Sequence, residues 1–201
     1  MPIQTTPKIW MNGELVDWAD AARQRPVPVR LYLPRREQRV PLVVVSHGIG
    51  GSRRGYSWLG SFLAANGVAA LHLQHVGSDR QLWFGNVLGI VGRLRDAAQD
   101  NEAIARVQDL SFALDQLLGA ELGPLFDPDR IVAAGHSYGA NTTLLAVGAR
   151  VARADKVYDF QDARFRAAIV LSAPPFYGEH DLAGILASVQ LPTLHVTSME
   201  D

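Results

Sequence analysis

Apolar positions along the chain fall into short continuous runs, separated by glycine-rich corners and by stretches with helical spacing. Val29 to Leu33 alternates apolar and polar residues, as a half-buried strand does. Leu42-Val43-Val44-Val45, after Pro41, is a continuous run of the kind found in parallel strands buried on both faces. Ser46 to Ser52 is a glycine-rich loop, a helical pattern runs from about Tyr56 to Ala65, and Asn66-Gly67 stops it before a second buried strand, Val68 to Leu73. Arg80 to Arg95 has helix-like apolar spacing interrupted by glycines. From Asp100 to Leu118 the positions Ile104, Val107, Leu110, Leu114, Leu117 and Leu118 form one stripe, with Arg106, Gln108 and Asp109 off it, so this helix lies on the sheet. Asp127-Pro128-Asp129 breaks the chain before a strand at Arg130–Ala134. A small-residue helix then runs from Ala140 to about Arg153. Phe165–Leu171 and Thr193–Thr197 read as two more buried strands, separated by a helical segment around Leu182 to Val189. Residues 1–27 are polar and irregular, with a fragment around Trp10, Leu15, Val16 and Trp18 suited to capping a sheet edge.

Strand and helix alternate with no internal repeat or low-complexity linker. That pattern predicts an α/β fold, with a mostly parallel twisted sheet and helices on both faces, in a single domain over residues 1–201. The 201 residues, 48% of them hydrophobic, suffice for one core. A net charge of −1, from 19 basic and 20 acidic residues, gives no footprint for nucleic acid. Lys8 and Lys156 are the only lysines, and the arginines form no block. With no cysteine, disulfides, thiolate metal sites and a cysteine nucleophile are excluded. No apolar run approaches the ~20 residues of a membrane helix. The first ten residues lack a signal pattern, so the expected location is the cytoplasm, or the exterior if a signal has been removed.

Gly135-His136-Ser137-Tyr138-Gly139 stands between a β-branched strand and a helix, the context in which a G-x-S-x-G pattern raises a serine on a sharp corner. A serine hydroxyl is a weak nucleophile; exposure on such a bend, a base for its proton and donors for the oxyanion make it useful. The His47-Gly48-Ile49-Gly50-Gly51 loop follows another buried strand and is suited to aim a backbone N–H at the same oxyanion as the Tyr138 N–H. Each such donor is worth on the order of 10²-fold in rate. A phosphate cradle is the competing reading, and it fails because no Gly-Lys-Ser/Thr follows.

These motifs resemble the α/β-hydrolase superfamily. With Pro26-Val27-Pro28-Val29-Arg30-Leu31-Tyr32, Gln74-His75-Val76-Gly77-Ser78-Asp79 and Asp109 to Asp115, the chain from about Trp18 to its end is similar to bacterial predicted dienelactone hydrolases and esterases akin to platelet-activating-factor acetylhydrolases. The resemblance implies Ser137 as nucleophile and the N–H groups of Ile49 and Tyr138 as oxyanion hole. It implies no metal or organic cofactor, and a small-molecule or lipid-like ester substrate. The acid of acetylhydrolase-like members falls where this chain reads Leu171-Ser172-Ala173-Pro174, without a carboxylate; the position one strand later offers Asp201, with Glu200 as fallback. Family order then requires a histidine, and none follows Asp201. Hence the fold is expected to lack its C-terminal strand and helix, as a fragment, as a chain whose ordered part ends here, or as a degenerate member. An unpaired sheet edge and self-association are expected with it.

Of the six histidines, His136 adjoins Ser137 on the bend and should diverge from it, His47 braces its own loop, and His195 reads as a core residue. The base is expected to be a histidine outside these 201 residues, and His180, in a loop on the side where the site opens, is the stand-in within them. His72 and His75 are three apart on a strand, point to opposite faces and have no third ligand nearby, so no metal is expected. His75 with Ser78 and Asp79 is expected at the pocket rim. Trp58, Trp83, Phe84, Phe176 and Tyr177 are either acyl-pocket lining or ordinary core. Two functions follow: a serine hydrolase of carboxylic esters, or a non-catalytic binding or regulatory protein on the same scaffold.

Overall fold

The computed structural model describes residues 13–35, 38–86, 89–153, 156–176 and 181–198. β1 (Glu14–Asp20), β2 (Arg25–Tyr32), β3 (Val40–Ser46), β4 (Ala69–Leu73), β5 (Phe126–His136), β8 (Ala167–Leu171) and β9 (Thr193–Val196) form a seven-stranded sheet in the order β1-β2-β4-β3-β5-β8-β9. β1–β2 and β2–β4 pair antiparallel, and every pair from β4 to β9 is parallel. A separate hairpin joins β6 (Val151–Arg153) and β7 (Lys156–Tyr158). The α/β architecture with a mostly parallel sheet is therefore as the pattern predicts.

Period-two alternation divides the sheet between two helical layers. Leu42, Val44, Leu71 and Ile131 share the main core with Val107, Leu110 and Leu114 of α3 (Asp100–Gly119), and with Ala140 and Leu144 of α4 (Tyr138–Ala146). Val43, Val45, Ala70 and Ala134 face the other way, where Leu63 and Ala64 of α1 (Ser57–Ala65) cover them. α2 (Ile90–Ala97) precedes α3, and α5 (Leu182–Leu186) precedes β9.

Several expectations need correction. Of residues 1–27, read as irregular, the described part forms β1 and the start of β2. Pro26 and Pro28 hid this strand, but the β2–β4 ladder begins only at Val29↔Leu73, so neither proline is asked for a hydrogen bond it cannot donate there. The Asp127-Pro128-Asp129 break lies inside β5 as an irregularity, where the register against β3 jumps between Val40 and Leu42. The helix expected to reach Arg153 ends at Ala146, because Gly148 turns the chain at φ 114° and releases it toward β6. β9, read as buried, is exposed along its whole length. Arg106 and Asp109, off the apolar stripe of α3, are fully buried. Among the described residues no helix is long and apolar enough to cross a membrane.

Candidate active site

β5 ends at His136 and α4 begins at Tyr138, so a single residue, Ser137, makes the corner. Its backbone lies at φ 54° and ψ −125°, a conformation that costs a non-glycine residue on the order of 1–3 kcal/mol and persists only where the surroundings enforce it. They do so by clamping the chain on both sides. The Ser137 N–H donates to the Leu171 carbonyl of β8 (2.9 Å), and its own carbonyl accepts from Ala140 N–H (2.8 Å). The flanking glycines are demanded by different neighbours. A Cβ on Gly135 would overlap the Gly139 carbonyl of α4, and one on Gly139 would overlap the Ser46 and His47 carbonyls at the end of β3. The first glycine lets helix meet strand; the second lets the helix start lie against the neighbouring loop.

That loop, His47 to Ser52, lies against the serine. A Cβ on Gly48 would come within 3.2 Å of the Ser137 Cβ. Gly50 adopts φ 74°, its N–H donates to the Ser78 carbonyl (2.8 Å), and Gly51 N–H donates to the Gly48 carbonyl (3.1 Å). Trp83 Nε1–H donates to the Gly50 carbonyl (2.9 Å). Tyr138 heads α4, where first-turn N–H groups have no acceptor within the helix. Among the described residues no protein acceptor takes the Ile49 N–H. Loop, Gly55, Tyr56, His136 and Ser137 line a cleft of about 210 Å³, and Ser137 is half-buried at its wall.

His47 braces its loop as expected. The His75 backbone N–H donates to His47 Nε2 (3.1 Å), which fixes the proton on Nδ1, and Nδ1 donates to the Gly48 carbonyl (2.7 Å). Burial, with the neighbouring Arg106 charge, holds the His47 pKa well below the usual histidine value, so the ring is neutral. His75 is not at a rim. It is completely buried, with Nδ1 3.2 Å from Asp109 Oδ2 and Nε2 3.1 Å from Ser46 Oγ. Burial pushes its pKa down to about 4. The Asp109 carboxyl is pushed up by burial, but the His75 hydrogen bond and Arg25 outweigh this and hold it below its ordinary value. Arg25 reaches both Asp109 oxygens (2.8 and 2.9 Å), and Arg23 adds a third contact (2.9 Å). Ser46, His75 and Asp109 thus repeat the order of a catalytic triad in a place no substrate reaches, because all three are buried. Their role is to carry the floor beneath the loop.

Asp201, Glu200, His180 and Tyr177 lie outside the described residues. β9 nonetheless bears on the acid: Val196 pairs with Leu171 and Leu171 with His136, so the chain leaves β9 at the sheet edge that carries Ser137. Among the described residues none of the five histidines hydrogen-bonds the Ser137 hydroxyl. His136 shares the cleft, its ring edge-on to Tyr56 at 5.6 Å. His72 is buried against Tyr32 with Nδ1 3.2 Å from the Gly55 carbonyl, and His195, expected in the core, is exposed with the rest of β9. Trp58, Trp83 and Phe84 are exposed, whereas Phe176 is buried and lines an apolar cavity of about 60 Å³ between α3, α4 and the β6–β7 hairpin, beside the Tyr138 ring.

Sequence reasoning missed Arg106, Glu102 and the role of Asp109. Polar residues on a helix flank read as solvated, and their partners on β2, the loop and α4 are distant in sequence. Asp109 and His75 stood inside motifs quoted for the family resemblance, which was the available signal.

The mostly parallel sheet with helices on both faces, with a strained serine where a strand turns into a helix, is the α/β-hydrolase fold seen in the structures it superposes on. A family model for platelet-activating factor acetylhydrolase, isoform II, matches residues 9–83. No curated protein sequence matches. Among solved structures, a cold-adapted esterase from an Arctic intertidal metagenomic library superposes with a TM-score of 0.67 at 19% identity, over 98% of this chain and 77% of that one. A dienelactone hydrolase from Anabaena variabilis gives 0.64 at 18% identity, over 94% and 76%. The thermophilic esterase Est2 from Thermogutta terrifontis gives 0.55 at 19% identity, over 81% of this chain and 53% of that one, so this chain spans about half its length.

Proposed function

We propose that the protein is a serine hydrolase of carboxylic esters. The observation that carries this reading is the backbone of Ser137, held at φ 54° and ψ −125° on the corner between β5 and α4, half-buried at the wall of a cleft. No structural need of the fold explains a strained serine there, since glycine would take the same conformation without cost.

In the proposed reaction Ser137 Oγ attacks the acyl carbon and a histidine accepts its proton. The carbonyl electrons move onto oxygen, and the N–H groups of Ile49 and Tyr138 hold the resulting oxyanion. Collapse expels the alcohol, which regains the proton, and water then releases the acyl group by the same steps. The base is His180 or a histidine outside residues 1–201, and Asp201, with Glu200 as fallback, orients it. The exit of β9 at the edge bearing Ser137 supports that placement of the acid. The substrate is a small-molecule or lipid-like ester, and the apolar cavity beside Tyr138 and Phe176 is suited to a hydrocarbon acyl or alkyl group. Similarity to esterases and to the acetylhydrolase family model supports the ester class.

Ser137→Ala, in the protein with its natural termini, is expected to abolish turnover of a short p-nitrophenyl ester with circular dichroism unchanged. Undiminished turnover would remove the serine from the mechanism, whereas absence of turnover in the wild-type protein would favour the binding-protein reading.

A further inference from the structure

The oxyanion donors assigned above come from two separate parts of the chain, the loop after β3 and the first turn of α4. Nothing covalent fixes one against the other. One buried cation touches both. Arg106, in the middle of α3, has no solvent exposure, and its Nη2 donates to the His47 carbonyl, one peptide before Gly48-Ile49. Its Nε donates to Thr142 Oγ1 (2.9 Å), whose hydroxyl in turn donates to the Tyr138 carbonyl (3.1 Å). The guanidinium carbon also sits 4.8 Å from the centre of the Tyr138 ring. Nη1 donates to Ser78 Oγ (2.7 Å), and Ser78 passes a hydrogen bond to Glu102 Oε1 (2.7 Å) while its carbonyl receives the Gly50 N–H.

We infer that Arg106 is a positioning residue for catalysis, setting the distance between the loop that carries Ile49 N–H and the helix start that carries Tyr138 N–H. The inference rests on the serine-hydrolase reading. A planar fork suits the task, because three of its N–H groups bind three differently oriented oxygens at fixed angles. Burial pushes its pKa down to about 10, so it remains a cation at neutral pH, with Glu102 and Asp109 as its anionic neighbours. An apolar side chain in its place would fill the volume but leave the His47 carbonyl and the Ser78 and Thr142 hydroxyls to settle independently. The two donors would then no longer be aimed at one point, and a misplacement of about 1 Å costs on the order of 10²-fold in rate.

The test compares Arg106→Met and Arg106→Lys with wild type in the protein with its natural termini. For Met, kcat is expected to fall about 10- to 100-fold with KM within about threefold, since the lost interaction acts only when the oxyanion forms. Lys, whose ammonium can meet the His47 carbonyl alone, should recover part of kcat. Affinity for a trifluoromethyl ketone, which becomes an oxyanion when serine adds to it, should drop in parallel with kcat. Affinity for the product carboxylic acid should not. Should Arg106→Met fail to fold, Thr142→Val keeps the guanidinium and its contact with the Tyr138 ring but cuts the hydrogen-bonded link to the Tyr138 carbonyl; it is expected to lower kcat by roughly tenfold with the same split between the two inhibitors. Unchanged kcat in the folded variants overturns the inference, as does equal weakening of both inhibitors, which marks a merely structural arginine. Ser137→Ala run alongside separates the two levels: if it is inactive while Arg106→Met is fully active, only the positioning role falls, and if it is active, both fall.

Discussion

Three histidines, His47, His72 and His75, are buried in neutral form around the floor of the cleft, and their protonation sets a limit on stability in acid. In an unfolded chain each ionises near 6.5; in the folded protein burial lowers His72 and His75 to about 4 and holds His47 well below the usual value. Between those values the unfolded state binds more protons. The stabilisation from neutral burial is therefore present above pH 6.5 and lost as the pH falls from 6.5 toward 4. Urea unfolding should show a loss of about 2 kcal/mol for each of His72 and His75 between pH 7 and pH 5, and His72→Leu should flatten the slope. A midpoint constant over that range would contradict neutral burial. At this scale the serine motif was legible, because its flanking glycines are demanded by backbone contacts that no other residue type satisfies. The support beneath it was not. Arg106, Asp109 and His75 find their partners on β2, β3 and α4, and no local spacing signals a hydrogen bond between residues 59 positions apart, as for Arg106 and His47.

Elements with one-sided or continuous hydrophobic pattern were placed from sequence: β3, α1, β4, α3 and β8 lie where periodicity puts them. β1 and the start of β2 were hidden because two prolines in a strand argue against one, unless their missing donors fall where no ladder bond is required. β9 was misjudged for the opposite reason. Its apolar residues look buried, yet Leu194 is 57% and Val196 49% exposed, because the strand is the sheet's outer edge. At Gly139 the start of α4 packs directly on the end of β3, where an added Cβ would overlap the Ser46 carbonyl. Gly139→Ala would force these apart and should cost about 3 kcal/mol in chemical denaturation. A loss no larger than that of an exposed glycine-to-alanine change would show that the corner is not packed as described.

For the molecule as a whole, the sheet presents β9 with only β8 as a partner among the described residues, and with two exposed apolar side chains along it. Such an edge offers unpaired backbone groups to another chain. The 201-residue chain is expected to self-associate in sedimentation at micromolar concentration, and Leu194→Lys to reduce this; a monodisperse monomer would contradict it. By the same pairing β9 ends at the end of the sheet that carries Ser137, while the acid was placed after this strand on the family resemblance alone.

The proposed nucleophile can be tested most directly by treating the protein, with its natural termini, with a fluorophosphonate ester, and mapping the adduct by peptide mass spectrometry as activity is lost. The account predicts one phosphonyl group, on the peptide containing Ser137, appearing in step with inactivation and absent from Ser137→Ala. Inactivation with the adduct on another residue, or continued ester turnover after Ser137 is fully modified, would contradict it.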